Sequence, residues 1–312
     1  LIHKQETLSS ENQKLRRLAT YASIAVAFVL ITAKLYAYLT TDSVAMLSSL
    51  LDSTIDLLSS MVTAFGVASA LRPPDREHRF GHGKAEPLAA LAQAAFIVGS
   101  SVLLGYEAIS RFYHPHDIQR EELGYAVMGG AIVLTVVLVA FQHLVVKRTS
   151  SMAIGADRIH YIGDLLINLA VVAAFALHQW TGVFWFDPLF AIVVALSLSV
   201  MAIHIARQAL TVLMDSELPE SDRAKIKQIV RSCPAVRGLH DMRTRSDSDR
   251  VFVELHVEMD ADLPLSKAHE ISENIVELIQ KEYPDADVLI HQDPTGHYEE
   301  RLDTKIAQQD LK

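Results

Sequence analysis

Two short patterns in this chain could hold a metal ion: Asp52-x-x-x-Asp56 and His160-x-x-x-Asp164, each inside a long apolar run. A spacing of four puts both members of a pair on one face of a helix, about 6 Å apart. An ionisable group inside an apolar span is costly unless it is paired, hydrated or metal-bound. Salt bridges to Lys or Arg of other spans would be the ordinary explanation. No span centre offers such a partner, and Lys34 sits near a membrane end, where it can snorkel. Three carboxylates and an imidazole on two spans therefore call for a cation, and this donor set suits a tetrahedral divalent metal such as zinc. No thiolate takes part, which suits a labile site, because thiolates hold zinc too tightly for turnover.

The elements that position these residues are spans. The chain has 312 residues, 50% of them hydrophobic, and a mean hydropathy of +0.22. Residues 1–215 carry nearly all the long apolar runs, and residues 216–312 read as a soluble domain rich in Asp, Glu and Lys. Six runs reach the length of about 20 residues that a bilayer requires: 18–39, 43–71, 86–111, 122–146, 153–178 and 188–213. Asp187-Pro188 is a fitting start for the sixth, Thr41 or Asp42 could cap the second, and Glu107 can pair with Arg111. Lys and Arg concentrate before the first run, after the second and after the fourth, which puts both termini and the soluble domain in the cytoplasm. Spans two and five then run antiparallel. At 1.5 Å per residue, Asp56 lies about 20 Å from the outer end of its span and Asp164 about 17 Å from the inner end of its own. The two pairs reach similar depth.

The soluble part reads helix (220–232), strand (236–246), strand (250–259), helix (264–283), strand (286–292). Val251, Val253, Leu255 and Val257 alternate with Phe252, Glu254, His256 and Glu258 at period two, and Ser246-Asp247-Ser248-Asp249 marks a hairpin turn. The expected fold is a polytopic α-helical membrane protein of six transmembrane helices with a C-terminal α+β domain, αββαβ and ferredoxin-like. Its parts are a cytosolic N-terminal segment at 1–17, a membrane domain at 18–215, a cytosolic metal-binding domain at 216–295 and a disordered tail at 296–312.

Two further groups have ligand chemistry. Asp75-x-x-His78-x-x-x-His82 follows the second span, between Pro73-Pro74 and Gly81/Gly83, where a solvated charged turn is the plainer reading. In the soluble domain stand His240, His256, His269, His291 and Asp293; this many histidines on one small domain, some beside Asp or Glu, favour a metal over scattered surface residues. The net charge of −9 argues against nucleic-acid binding. Cys233 is the only cysteine, so no disulfide framework forms within one chain. Residues 1–20 lack a secretory-signal pattern. There is no Gly-x-Ser-x-Gly nucleophile motif and no His-Glu-x-x-His.

Six spans, the Asp/Asp/His/Asp quartet and a soluble domain ending in Leu289-Ile290-His291-Gln292-Asp293-Pro294 resemble the cation diffusion facilitators, in particular the bacterial YiiP-type. The resemblance covers about residues 15–295. It implies a homodimeric zinc/proton antiporter of the bacterial inner membrane, a secondary transporter and not an enzyme, with no organic cofactor. By the same resemblance Asp52, Asp56, His160 and Asp164 form the transport site, Asp75, His78 and His82 a loop site, and His240, His256, His269, His291 and Asp293 a regulatory zinc site. Gln292 would be a weak ligand there. Lys84 and Asp215 match the positions of a dimer interlock. The cargo is expected to be Zn2+, with Cd2+, Fe2+ and Mn2+ left open.

In the expected cycle, zinc from the cytosol displaces protons at the quartet, the helices open outward, and protons from outside displace zinc. An imidazole can switch its charge near neutral pH, which makes His160 the coupling residue. The competing reading is a membrane-anchored metal sensor or metalloenzyme in which the cytosolic histidines do the work. Its weakness is the quartet, which an anchor does not need.

Overall fold

A computed structural model describes residues 2–41, 44–113, 122–183, 185–247, 250–297 and 300–309. The chain divides into two compact units, residues 1–210 and 211–312.

The first unit is a bundle of six helices: α1 (Ile2–Thr41), α2 (Val44–Ala70), α3 (Ala85–Tyr113), α4 (Glu122–Thr149), α5 (Met152–Thr181) and α6 (Phe186–Leu213). Each contains a stretch long and apolar enough to cross a membrane, from Ser10–Thr40 in α1 to Phe186–Leu213 in α6. All six expected spans are present, with ends that shift by a few residues. Expected as a separate segment, the N-terminal residues instead continue α1 as one helix. Proline marks the boundaries: Pro73-Pro74 follow the end of α2, while Pro87 and Pro188 lie in the first turns of α3 and α6, where a missing N–H costs nothing. The expected cap at Thr41 or Asp42 and the Glu107–Arg111 pair involve side chains outside the described residues.

Small residues let the helices approach closely. Ala19, Ala89, Val67, Val145, Ala153 and Ile154 form one buried cluster joining α1 to α5. Ala90, Ala94, Ala156, Leu198, Ala202 and Ala209 form another, joining α3, α5 and α6. A Cβ on Gly66 would lie 2.4 Å from that of Ala89, and one on Gly163 would lie 2.9 Å from a methyl of Leu198. At Gly66, against the Ala89 Cβ and the Ala85 carbonyl, only glycine fits, whereas at Gly163 a Cβ would push the end of the Leu198 side chain aside. Phe28, Phe65, Leu103, Val137 and Val200 stay exposed on the outside of the bundle, as lipid-facing side chains do. Arg16 and Glu86 make a buried ion pair between α1 and α3 at 3.4 Å. Arg16 also donates to the Thr149 carbonyl at 3.0 Å, and Ser151 to Glu86 at 2.9 Å.

The second unit contains α7 (Glu220–Arg231), β1 (Gly238–Ser246), β2 (Val251–Met259), α8 (Leu265–Glu282), β3 (Asp287–Pro294) and α9 (Leu302–Gln309). The sheet order is β1-β2-β3. β1 and β2 are antiparallel and β2 and β3 parallel, so the αββαβ order is the one expected. Ile226 and Val230 of α7 and Ile275 and Ile279 of α8 pack on Val253, Leu255 and Val257, the inward-pointing residues of β2. The hairpin closes through Asp247 N–H to the Arg250 carbonyl at 3.0 Å and Arg250 N–H to the Asp247 carboxylate at 2.8 Å. Ser248 and Asp249 of that turn lie outside the described residues. Cys233 is buried and unbridged.

Where the sequence suggests a disordered tail, the structure has α9. Two contacts hold it to the sheet. Asp241 and Asp303 exchange backbone-to-carboxylate hydrogen bonds of 3.0 and 2.9 Å, and Arg301 pairs with Glu258. Asp241 takes a φ of 49°, on the left-handed side of the map, which a short Asp tolerates. Burial raises its carboxyl, but the backbone N–H groups of Asp303 and Leu302 outweigh that and hold it below the usual carboxylate range.

Candidate metal centres

The membrane unit brings three of the four expected residues together. Asp56 on α2 and His160 and Asp164 on α5 place one ligand atom each within 4.8 Å of one another. His160 Nε2 lies 2.9 Å from Asp56 Oδ1, and the two side chains are 6% and 15% exposed. Two carboxylates and an imidazole converging from two helices supply most of a tetrahedral shell. Asp52, one turn before Asp56, is exposed and does not belong to this group. Lys34, expected to snorkel, instead turns to α2, where Nζ donates to Ser53 Oγ at 2.6 Å and to the Ser49 carbonyl at 3.2 Å. Asn168, whose place in the span suggests a helix–helix bond, donates to the Asp164 carbonyl of its own helix at 2.8 Å.

Motif spacing does not single out Asp157, one turn before His160. It is 1% exposed and accepts hydrogen bonds from Gln142 at 2.7 Å and Ser23 at 2.8 Å on one oxygen, and from Ser60 at 3.3 Å on the other. Tyr161 is buried as well, with its hydroxyl 3.0 Å from that of Ser60 and its ring edge-on to His160 at 5.9 Å and 76°. The one signal in the sequence is an acid in an apolar run without a charged partner four residues away.

In the loop after α2, Asp75, His78 and His82 gather their ligand atoms within the same 4.8 Å limit. Asp75 lies 3.4 Å from His78 Nδ1 and 3.3 Å from His82 Nε2, and the two rings stand 4.5 Å apart. The turn is fixed by Asp75 accepting from the N–H groups of His78 at 2.7 Å and Glu77 at 2.9 Å. The His78 bond is the main reason that the Asp75 carboxyl sits below the usual range, ready to act as an anionic ligand.

The soluble unit aligns His240, His256 and His291 in one row across the sheet, since His240 pairs with His256 and His256 with His291 in the strand register. Adjacent rings are 5.1 and 4.5 Å apart. Asp293 approaches all three, at 3.4 Å from His240, 2.9 Å from His256 and 3.2 Å from His291. His240, His256 and Asp293 form the third group of ligand atoms within 4.8 Å. Both ring nitrogens of His240 are buried and make no hydrogen bond among the described residues. Buried polar atoms are nearly always paired, so this donor set fits a divalent metal. His269 is exposed on α8 and is not part of the group; Gln292 donates to Ser272 at 2.9 Å. Glu258, 3.5 Å from His240 Nδ1, is an acidic neighbour that the motif does not indicate.

A family model described as the cation efflux transmembrane domain matches residues 20–214, and one described as the cytoplasmic domain of cation efflux proteins matches residues 218–295. The chain belongs to the cation efflux, or cation diffusion facilitator, family. Among its relatives is the cation-efflux pump FieF of Shewanella oneidensis, 43% identical over 278 residues, which cover 89% of this chain and 94% of the relative. FieF of Pectobacterium atrosepticum is 41% identical over 283 residues, 91% of this chain and 94% of the relative. Protein p34 of Rickettsia rickettsii is 36% identical over 289 residues, covering 92% and 95%. This cation-efflux protein is thus of the bacterial YiiP-type, a membrane transporter and not an enzyme.

Proposed function

We propose that this protein exports Zn2+ across the bacterial inner membrane in exchange for protons, through Asp52, Asp56, His160 and Asp164. The observation that carries the reading is the convergence of Asp56, His160 and Asp164 from two spanning helices onto a space that a cation can share. Asp52 is the fourth ligand, one helical turn away on the same face as Asp56 and reached by a change of rotamer. The ligands bind metal only when deprotonated, so metal and protons compete for one site, with His160 as the coupling residue. Oxygen and imidazole ligands without thiolate also leave room for Cd2+, Fe2+ and Mn2+. Lys and Arg in the loops favour both termini in the cytosol. In sealed vesicles with an acid interior, the protein is expected to accumulate zinc, and vesicles that accumulate none would contradict the proposal.

The cytosolic group has a different role in this reading. His240, His256, His291 and Asp293 hold a resident zinc that stiffens the domain and a homodimer of it, while the transported ion passes elsewhere. His269 stays outside the ligand set within one chain. Asp75, His78 and His82 offer a further ion site in the loop, and Lys84 and Asp215 are assigned to a dimer interlock on family resemblance alone. Asp215 also lies 3.5 Å from Arg245 within its own unit. A ligand that binds only the folded state stabilises it by about 2.7 kcal/mol at a hundred times its Kd. Zinc should therefore raise the unfolding midpoint of the 216–312 fragment, which has its own core, and His240→Ala should remove the rise. An unchanged midpoint in the parent fragment would count against a resident metal.

A further inference from the structure

Asp157 is the buried carboxylate to which most of the membrane helices are tied. Its Oδ2 accepts from Ser23 Oγ of α1 at 2.8 Å and from Gln142 Nε2 of α4 at 2.7 Å. Its Oδ1 accepts from Ser60 Oγ of α2 at 3.3 Å and, at longer range, from Gln93 Nε2 of α3 at 3.4 Å. Gln142 also donates to Ser23 at 3.0 Å. All four donors are neutral, and together they meet the acceptor capacity of one carboxylate. With its amide nitrogen committed in this way, Gln142 leaves its own Oε1 buried and without a partner among the described residues. A fully hydrogen-bonded buried polar network rigidifies the core around it, and removing one partner of a buried charge is strongly destabilising.

That geometry leads to the metal ligands. Asp157 precedes His160 by three residues, Tyr161 by four and Asp164 by seven, which places all of them along one side of α5. Ser60 donates to Asp157, its hydroxyl shares a hydrogen bond with that of Tyr161 at 3.0 Å, and the Tyr161 ring stands edge-on to His160. Each residue of helix corresponds to about 100° of rotation, so even a fraction of one such step about the α5 axis would swing His160 and Asp164 away from Asp56. We propose that Asp157 is a positioning residue of the transport site: through Ser23, Ser60 and Gln142 it locks the rotation of α5, and through Ser60 and Tyr161 it steadies the His160 ring. This rests on the reading of Asp56, His160 and Asp164 as the transport site.

The test is zinc affinity at that site in the full-length protein, with the loop and cytosolic groups disabled by His78→Ala, His82→Ala, His240→Ala and His256→Ala. Asp157→Asn puts an amide N–H among donors. Zinc binding should weaken about 10- to 100-fold, the range for losing a group that orients metal ligands. The double variant Asp157→Asn, Gln142→Glu moves the carboxylate to the other end of the same hydrogen bond. The amide at position 157 then donates to the carboxylate at position 142, and affinity should return close to the parent's. A role confined to stability would lower the melting temperature and leave the affinity of the folded protein unchanged. A folded Asp157→Asn variant with parental affinity overturns the proposal, and so does a double variant no better than the single one. If Asp157→Asn does not fold, Ser60→Ala decides: it cuts the link between Asp157 and Tyr161, and parental affinity there overturns the proposal. Asp164→Ala is the control. If it keeps parental affinity, the transport-site reading fails, whatever Asp157 does.

Discussion

Asp56→Ala is expected to bring metal flux down to the background of protein-free vesicles and to leave the protein folded. Asp56 is the only member of the gathered trio that α2 supplies, and it is the direct partner of His160 at 2.9 Å. Without it the gathered ligands come from α5 alone, and Asp52 is the one carboxylate through which α2 can still reach the ion. Loss of even an outer-shell partner costs about 10- to 100-fold in metal affinity, so loss of a ligand should cost at least about 100-fold. The effect on folding is smaller and of mixed sign. One hydrogen bond to His160 disappears, at a cost of about 1–3 kcal/mol, while a partly buried charge near Asp164 is also removed. The helix packing around it depends on Gly66, Gly163 and the alanine clusters, which the substitution does not touch. Zinc flux and thermal unfolding measured on the same preparation separate the two effects. Normal flux from a folded Asp56→Ala protein would remove Asp56 from the pathway.

His160→Asp should change which metal is carried. The substitution replaces a borderline nitrogen ligand with a hard oxygen and gives a site made of carboxylates alone. Such sites discriminate less against manganese, because zinc gains more than manganese does from nitrogen and sulfur donors. The side chain is 6% exposed and meets Asp56 directly, so the new carboxylate would stand beside an existing one and would need a cation or a proton to be tolerated. Zinc affinity is expected to fall about 10- to 100-fold relative to the parent, with manganese affected less. Competition between the two metals during flux checks this. An unchanged ranking would mean that something other than ligand type selects the metal.

The spans are legible because an apolar run of this length has one common meaning, and the cytoplasmic domain because β2 alternates cleanly between Val253, Leu255, Val257 and the polar residues between them. Depth and rotation are less legible. Spacing puts Asp52 and Asp56 on one helix face, yet they differ by a turn in depth, and only Asp56 joins the trio. For His240, His256 and His291 the parity of each strand indicates a face, but their alignment depends on pairing register. A shift in the β1–β2 ladder between His240 and Arg243 helps to set that register, and no local pattern announces it. In sequence, His269 looks equivalent to the other histidines. On α8, however, the buried positions are Ser272, Ile275 and Ile279, and His269 lies on the exposed side. Asp157 is hard to read from sequence because its partners are neutral Ser and Gln residues on other helices, which carry no charge pattern to match. The short helix α9 depends on Arg301 and Asp303 finding Glu258 and Asp241, contacts far apart in sequence.

The most direct test of metal and proton exchange at one site is zinc uptake into sealed vesicles containing the purified protein, with internal and external pH set independently. An acid interior should drive zinc inward against its gradient and release protons outward at a rate that rises with zinc. Dissipating the pH difference with an ionophore should stop the accumulation, and Asp56→Ala vesicles should show neither flux. Zinc accumulation that is indifferent to the pH difference, or proton release unaffected by zinc, would contradict the exchange.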